Sequence, residues 1–168
     1  ILPSAYSFFI RDKTLGEKGE SLIMLYLLCN GYRDIKQTEG YFKEYDIYGT
    51  SPKTSTQVFF EVKTDEYCKE SFDSGNMAIE IECKKKPSGI SCTEADVFVY
   101  YYYHLSINNL WMIKVDELKS LIKKEYADGK IKTVYGGDNN QSKMILLKRN
   151  KYKEHFFVDT ITKHKINE

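Results

Sequence analysis

The sequence has few of the features that mark membrane, secreted or multidomain proteins. Its longest apolar run, Leu22 to Cys29, is too short to span a bilayer, and its N-terminal segment lacks the layout of a signal peptide. The four cysteines have neither Cys-x-x-Cys spacing nor the density of a secreted disulfide scaffold. Only three prolines are present and no low-complexity linker divides the chain. We therefore expect an intracellular protein with no membrane partner, folded as one domain over residues 1–168.

Charge of one sign is not in excess, and the motifs of several enzyme classes are missing. The 25 basic and 24 acidic residues give a formal net charge of +1, so any affinity for nucleic acid must come from local patches. The three histidines, His104, His155 and His164, are too scattered for a zinc site. The sequence contains no P-loop, no glycine-rich dinucleotide turn and no Gly-x-Ser-x-Gly elbow.

What is present predicts a chain that begins with a helix and continues mostly as strands. Thr14 and Glu17 form a capping-box pattern, which predicts a helix from about Glu17 to Cys29 that Asn30-Gly31 ends. Apolar positions at helical spacing predict a second, amphipathic helix from Asp116 until Gly129, and a helical turn is possible at 93–96. Alternating or apolar runs predict strands within 41–49, 57–63, 76–83, 97–105, 110–115, 132–150 and 155–161.

The predicted strand at 57–63 carries charge on one of its faces. Side chains alternate along a strand, so Glu61 and Lys63 share a face, and another acid, Asp46, ends the preceding strand. Two adjacent strands would bring the two carboxylates together, and a hard divalent cation such as Mg²⁺ would relieve their repulsion. Glu80 and Glu82 share a face of the strand at 76–83, which we expect beside the Glu61 strand. We keep Glu80 as a minor candidate for the site and assign Glu82 to solvent.

Three short segments in a fixed order carry a resemblance to a known family. Glu20 lies on a first helix that ends in Asn30-Gly31-Tyr32, and Tyr45-Asp46-Ile47 and then Glu61-Val62-Lys63 follow. This order resembles the core of the PD-(D/E)XK nuclease superfamily, including its Holliday-junction resolvase and restriction-enzyme branches, over roughly the first two-thirds of the chain. The segment 75–96 and the Tyr-Gly-Gly-Asp-Asn-Asn-Gln-Ser loop are similar to segments of viral and phage members. Tyr45 stands where the family's proline often precedes the aspartate.

The resemblance implies a fold, a reaction and a metal. The fold would be α/β, with a restriction-endonuclease-like core in which helices flank a mixed sheet. One or two Mg²⁺ or Mn²⁺ ions would be held by Asp46, Glu61, the Val62 carbonyl and Glu20, while Lys63 would orient the attacking water or stabilise transition-state charge. The reaction would be phosphodiester hydrolysis leaving a 5′-phosphate, in the cytoplasm and, for the viral branch, in an infected host cell.

Substrate contacts would come from a basic loop. We expect five residues to contact the phosphate backbone without reading its sequence: Lys84, Lys85, Lys86, Ser88 and Thr93. A solvated loop explains the lysines equally well. A second basic edge would comprise Lys143, Lys148, Arg149 and Lys151, and the run from Tyr100 to Tyr103 would either stack on bases or, as we favour, form a core strand.

Several alternatives stay open at this point. DNA is favoured over RNA as the nucleic-acid partner, but an RNA endonuclease of the same fold fits the same residues. A nucleic-acid-binding module that has lost catalysis is the alternative from another functional class. The oligomeric state is also open, with a homodimer as one option.

Overall fold

The computed structural model describes residues 14–40 and 44–163, so His164 and the start of the predicted strand 41–49 lie outside it. This part of the chain contains two α-helices, α1 (Leu15–Cys29) and α2 (Val115–Ala127). Its ten strands are β1 (Arg33–Gln37), β2 (Ile47–Thr50), β3 (Gln57–Lys69), β4 (Asn76–Cys83), β5 (Lys86–Pro87), β6 (Val97–His104), β7 (Leu110–Lys114), β8 (Thr133–Gly136), β9 (Ser142–Lys148) and β10 (Phe157–Asp159). No helix among the described residues is long and apolar enough to cross a membrane.

The strands form two sheets, and the larger of them is the mixed sheet that we expected. The larger sheet has the order β1-β2-β3-β6-β7-β10, and the smaller has the order β5-β4-β9-β8. The β3–β6 pair is parallel and the other pairs are antiparallel. The predicted α/β class, with a mixed sheet flanked by helices, is therefore confirmed. The placement of the Glu80 strand beside the Glu61 strand was wrong, because β4 pairs with β5 and β9 in the smaller sheet.

Local signals located most elements correctly. Thr14 and Glu17 form the capping box at the start of α1, and Asn30 is its C-cap. The strand β1 was not predicted, β2 begins only at Ile47, and β3 continues six residues beyond Lys63 to Lys69. Residues 93–96, which the structure describes, do not form the expected helical turn. A 3-10 turn lies just before them, at Gly89–Ser91.

Each face of the larger sheet has its own apolar core. On one face, α1 packs Leu22 and Ile23 against Phe60 and Val99. The helix lies so close that a Cβ added at Gly19 would be 1.7 Å from the Thr64 hydroxyl oxygen. On the other face, residues of β6 and β7 pack with α2 and with the smaller sheet. The fold therefore has layers on both sides of the larger sheet.

The tyrosines of β6 lie inside these cores. Tyr100, Tyr101 and Tyr102 are all fully buried, with Tyr100 and Tyr102 in the core shared with the smaller sheet and Tyr101 in the core beneath α1. This burial confirms a core strand and excludes the three rings from stacking on bases in this conformation.

Candidate functional site

The antiparallel register of β2 and β3 brings Asp46 to the Glu61 segment. Ile47 is opposite Phe60, so the residue before β2 lies beside the residues that follow Phe60. The Val62 amide donates a hydrogen bond of 2.7 Å to Asp46 Oδ2. The Asp46 amide in turn donates to the Phe60 carbonyl at 2.9 Å, and its side chain is buried. The backbone of β3 thus fixes the orientation of the Asp46 carboxylate.

The Glu61 carboxylate is oriented by a residue from a distant loop. Thr93 is buried, and its hydroxyl oxygen lies 3.0 Å from Glu61 Oε2 and 3.0 Å from the Glu44 carbonyl oxygen. The Ala95 amide donates to that same hydroxyl oxygen at 3.2 Å. Since a hydroxyl has a single proton, Thr93 donates to Glu61 or to Glu44 at any one time. Sequence reasoning missed this contact, because no pattern in the sequence joins positions 61 and 93.

Most of the predicted site residues line one cleft of about 840 Å³. These residues are Asp46, Glu61, Val62, Lys63, Lys84, Lys86, Ser88 and Thr93, and the minor candidate Glu80 joins them. Lys63 is solvent-exposed. Neither Lys85 nor Glu20 is among the lining residues, and Glu82, which we assigned to solvent, is also outside the lining.

The structure gives Glu20 a different environment. It lies on α1, which covers the sheet face that carries Phe60 and Val62, and its carboxylate accepts a hydrogen bond from the Gln37 amide group. In the parts of the chain that the structure covers, no three His, Cys, Asp or Glu side chains come close enough to form a metal-binding group. The site assignment of Glu20 stays a prediction, whereas Asp46 and Glu61 share the cleft.

Glu80 reaches the cleft from the smaller sheet. Its carboxylate accepts a hydrogen bond from the Ser88 hydroxyl. The chain after Ser88 passes so close to β4 that a Cβ added at Gly89 would lie 2.5 Å from the Glu80 carbonyl oxygen, and Gly89 has φ of +53°. Glycine alone fits this approach without strain. The close contact holds the turn after the basic loop against β4, and Lys84 and Lys86 line the same cleft as Asp46 and Glu61.

Negative charge also gathers where Glu44 lines the cleft. The Glu44 carboxyl is hydrogen-bonded to that of Glu94, and this contact with the negative charge of Glu94 raises the pKa of Glu44 above its usual range. A raised carboxyl pKa indicates that the two acids repel when both are ionised. A bound cation near this position would lower that repulsion.

The second basic edge is not assembled as we expected. Arg149 is buried, makes a two-pronged contact with Asp73, and lies 4.7 Å from the centre of the Tyr102 ring. Lys151 lies 3.7 Å from Glu125. The expectation that Arg149 belongs to a basic edge for nucleic acid was wrong, because its guanidinium binds Asp73 and packs on Tyr102.

Comparisons with known proteins give few matches. No protein-family model matches the chain, and no curated protein sequence does. Among solved structures, the chain is similar to the bacterial homing endonuclease I-Ssp6803I, with 13% sequence identity and a TM-score of 0.47. The match covers 94% of this chain and 79% of that chain.

Proposed function

We propose that the protein is a metal-dependent nuclease that hydrolyses phosphodiester bonds of DNA through Asp46, Glu61 and Lys63. One observation carries the proposal: the Asp46 carboxylate is held by the Val62 amide in a cleft that Glu61 and Lys63 also line. The same three residues belong to the segments that resemble the PD-(D/E)XK superfamily. The geometry and the resemblance therefore support the same site.

The side chains present suit a hard divalent cation. Asp46, Glu61 and Glu80 supply carboxylate oxygens to the cleft, and Mg²⁺ is commonly bound through one or two carboxylates with substrate phosphates and water. Asp46, Glu61 and the Val62 carbonyl would hold Mg²⁺ or Mn²⁺. The bound ion would lower the pKa of a water molecule and offset the negative charge of the phosphate.

The basic residues of the cleft would act on the phosphate itself. Lys63 is exposed on the same side of β3 as Glu61, so its ammonium group would stabilise charge that develops on the phosphate during attack. Lys84 and Lys86 would hold neighbouring phosphates from the opposite wall. Such contacts position a strand without reading its sequence, as expected of a nuclease with little base specificity.

The test is cleavage of labelled single-stranded, duplex and branched DNA, and of RNA, with Mn²⁺. Asp46→Asn should abolish cleavage, because it removes the charge that binds the cation while its amide oxygen still accepts the Val62 amide. Thermal melting should also show that Mn²⁺ stabilises the wild type more than this variant. Glu66→Gln is the matched control, since Glu66 is exposed on the same strand and lies outside the cleft.

A second variant separates an enzyme from a binding module. Lys63→Gln should lower the single-turnover rate by roughly 10²–10⁴-fold and leave Mn²⁺ stabilisation unchanged, because a protonated amine cannot ligate a metal. Undiminished cleavage by Asp46→Asn would refute the site. Cleavage of RNA alone would favour the RNA endonuclease, and binding without any cleavage by the wild type would favour the inactive module.

A further inference from the structure

A second groove lies between α2 and the smaller sheet, outside the carboxylate cleft. It encloses about 530 Å³, a size suited to a small organic ligand or a single nucleotide. Isoleucines from four separate segments form its apolar lining: Ile81, Ile90, Ile122 and Ile145. Three of these, Ile90, Ile122 and Ile145, are buried, so the floor of the groove is part of a packed core.

The rim of this groove is basic and carries an exposed ring. Lys119 and Lys123 come from α2 and Lys143 from β9, and no ion pair within the described ranges engages any of the three. Tyr126, one turn after Lys123 on α2, is 57% exposed and also lines the groove. An apolar floor, an exposed aromatic ring and unpaired ammonium groups suit a ligand with a flat apolar body and an anionic group.

The groove lies next to the carboxylate cleft. Ile90, in the turn that follows the basic loop, lines both cavities. A polyanionic strand that crosses the cleft would therefore lie close to the lysine rim. A nucleotide has the required parts, because its base offers a flat ring for stacking and its phosphate offers a negative charge.

We propose that this groove is a subsite for one unpaired nucleotide of the nucleic-acid substrate. The base packs against Tyr126 and the isoleucine floor, and the flanking phosphates contact Lys119, Lys123 and Lys143. The inference rests on the proposed function, since the strand that fills the groove is the one that passes Asp46 and Glu61. It adds a preference for single-stranded or locally unpaired substrate.

The test measures binding rather than cleavage. Fluorescence anisotropy with a labelled single-stranded DNA oligonucleotide, in the presence of a chelator, reports affinity without turnover. Tyr126→Ala should weaken binding about tenfold, the usual effect of removing one stacking ring. Tyr67→Ala is the matched control, because Tyr67 is 67% exposed and lies outside both the groove and the cleft, and it should leave affinity unchanged.

The charge of the rim is tested by salt dependence. The double variant Lys119→Gln/Lys123→Gln should make the logarithmic salt dependence of single-strand binding shallower by about 1.4 units, since each of the two lost phosphate contacts adds about 0.7. Lys124→Gln/Lys153→Gln removes the same charge from exposed positions outside the groove and should not change the slope. Blunt duplex DNA, which offers no unpaired base, should be nearly insensitive to Tyr126→Ala. Circular dichroism checks that each variant is folded.

The outcomes separate this inference from the proposed function. If the wild type cleaves DNA but the groove variants bind as tightly as their controls, the subsite is overturned and the proposed nuclease function stands. Binding that depends on the groove, without any cleavage by the wild type, supports the subsite and refutes the nuclease. Absence of oligonucleotide binding by the wild type, or equal loss for duplex and single strand in Tyr126→Ala, overturns the subsite.

Discussion

At the scale of single residues, Thr93 connects the Glu61 carboxylate to the backbone at Glu44. It is buried, and its hydroxyl contacts the Glu61 carboxylate, the Glu44 carbonyl and the Ala95 amide. The phosphate contact predicted for Thr93 stays a prediction, and these bonds give it a second role, which is to orient Glu61. Substitution of a residue that orients a metal-binding carboxylate commonly lowers metal affinity or activity by about 10–100-fold. We expect an effect of this size at Thr93.

Thr93→Val keeps the shape of the side chain but removes the hydroxyl. We expect a loss of roughly 10–100-fold in cleavage rate and a higher Mn²⁺ concentration for half-maximal activity, because Glu61 loses its orienting bond. Thr93→Ser retains the hydroxyl, so its cleavage rate and its Mn²⁺ concentration for half-maximal activity should stay close to the wild-type values. Equal activity of the valine and serine variants would show that the hydroxyl does not act on Glu61.

At the scale of elements, two tyrosines of β6, Tyr100 and Tyr102, connect the two sheets through hydrogen bonds to the backbone of β4. The Tyr100 hydroxyl donates to Asp65 Oδ2 of β3 at 2.6 Å and accepts from the Ala78 amide of β4 at 3.0 Å. The neighbouring Tyr101 is just as buried, but its hydroxyl has no hydrogen-bond partner among the described residues. A buried polar group stabilises a fold only when its hydrogen bonds are made.

This contrast predicts that the same substitution, tyrosine to phenylalanine, changes the free energy of unfolding differently at these two adjacent positions. Tyr100→Phe should lower the free energy of unfolding by about 1–3 kcal/mol, because the buried Ala78 amide and Asp65 lose a partner. Tyr101→Phe should leave it unchanged or raise it, because it removes an unsatisfied hydroxyl. Urea titrations of both variants measure the effect, and equal destabilisation of the two would contradict the role assigned to the Tyr100 hydroxyl.

At the scale of the whole molecule, an ion pair holds the chain before β4 to the chain after β9. Arg149 contacts both carboxylate oxygens of Asp73, and its Nη1 atom lies 2.7 Å from Oδ1. Hydrogen bonds from Arg149 lower the pKa of Asp73 to about 2. Because Arg149 also packs on the Tyr102 ring, the pair fixes the smaller sheet to the larger.

The lowered pKa predicts a dependence of stability on pH. Asp73 contributes stability while it is ionised, and this contribution is present above its unfolded pKa of about 4 and lost as the pH falls towards 2. Arg149→Gln should therefore be less stable than the wild type near neutral pH, and the difference should narrow in acid. Urea unfolding of the wild type and of Arg149→Gln, from neutral pH down to about pH 2, measures this difference in the free energy of unfolding. Lys148→Gln, at the exposed neighbouring position, should show no such narrowing.

Short-range patterns in the sequence predicted much of the candidate site. Alternation along β3 placed Glu61 and Lys63 on one face, and the order of Asp46 and Glu61 in consecutive strands predicted that they meet. The basic loop was also expected near them. These features depend on residues a few positions apart or on two strands joined by one loop, so the sequence carries them directly.

The remaining features depend on contacts between segments that are far apart in the chain. Nothing local specifies that β4 pairs with β9, whose paired residues lie 59 to 72 positions later, and so the second sheet was not predicted. The same is true of the Thr93 contact with Glu61 and of the burial of Arg149 beside Asp73.

The sequence by itself determined the capped helix α1, the amphipathic helix α2 and the alternation of most strands. It also determined the carboxylate that precedes β2 and the carboxylate and lysine of β3. Capping, helical period and strand alternation are properties of neighbouring residues, which is why they can be identified without a fold. The tertiary structure alone decided which sheet carries Glu80, which hydroxyl orients Glu61, and that the isoleucine groove and the cleft share Ile90 in their linings. These arrangements arise when separate apolar faces are buried together, and that packing is settled only by the complete chain.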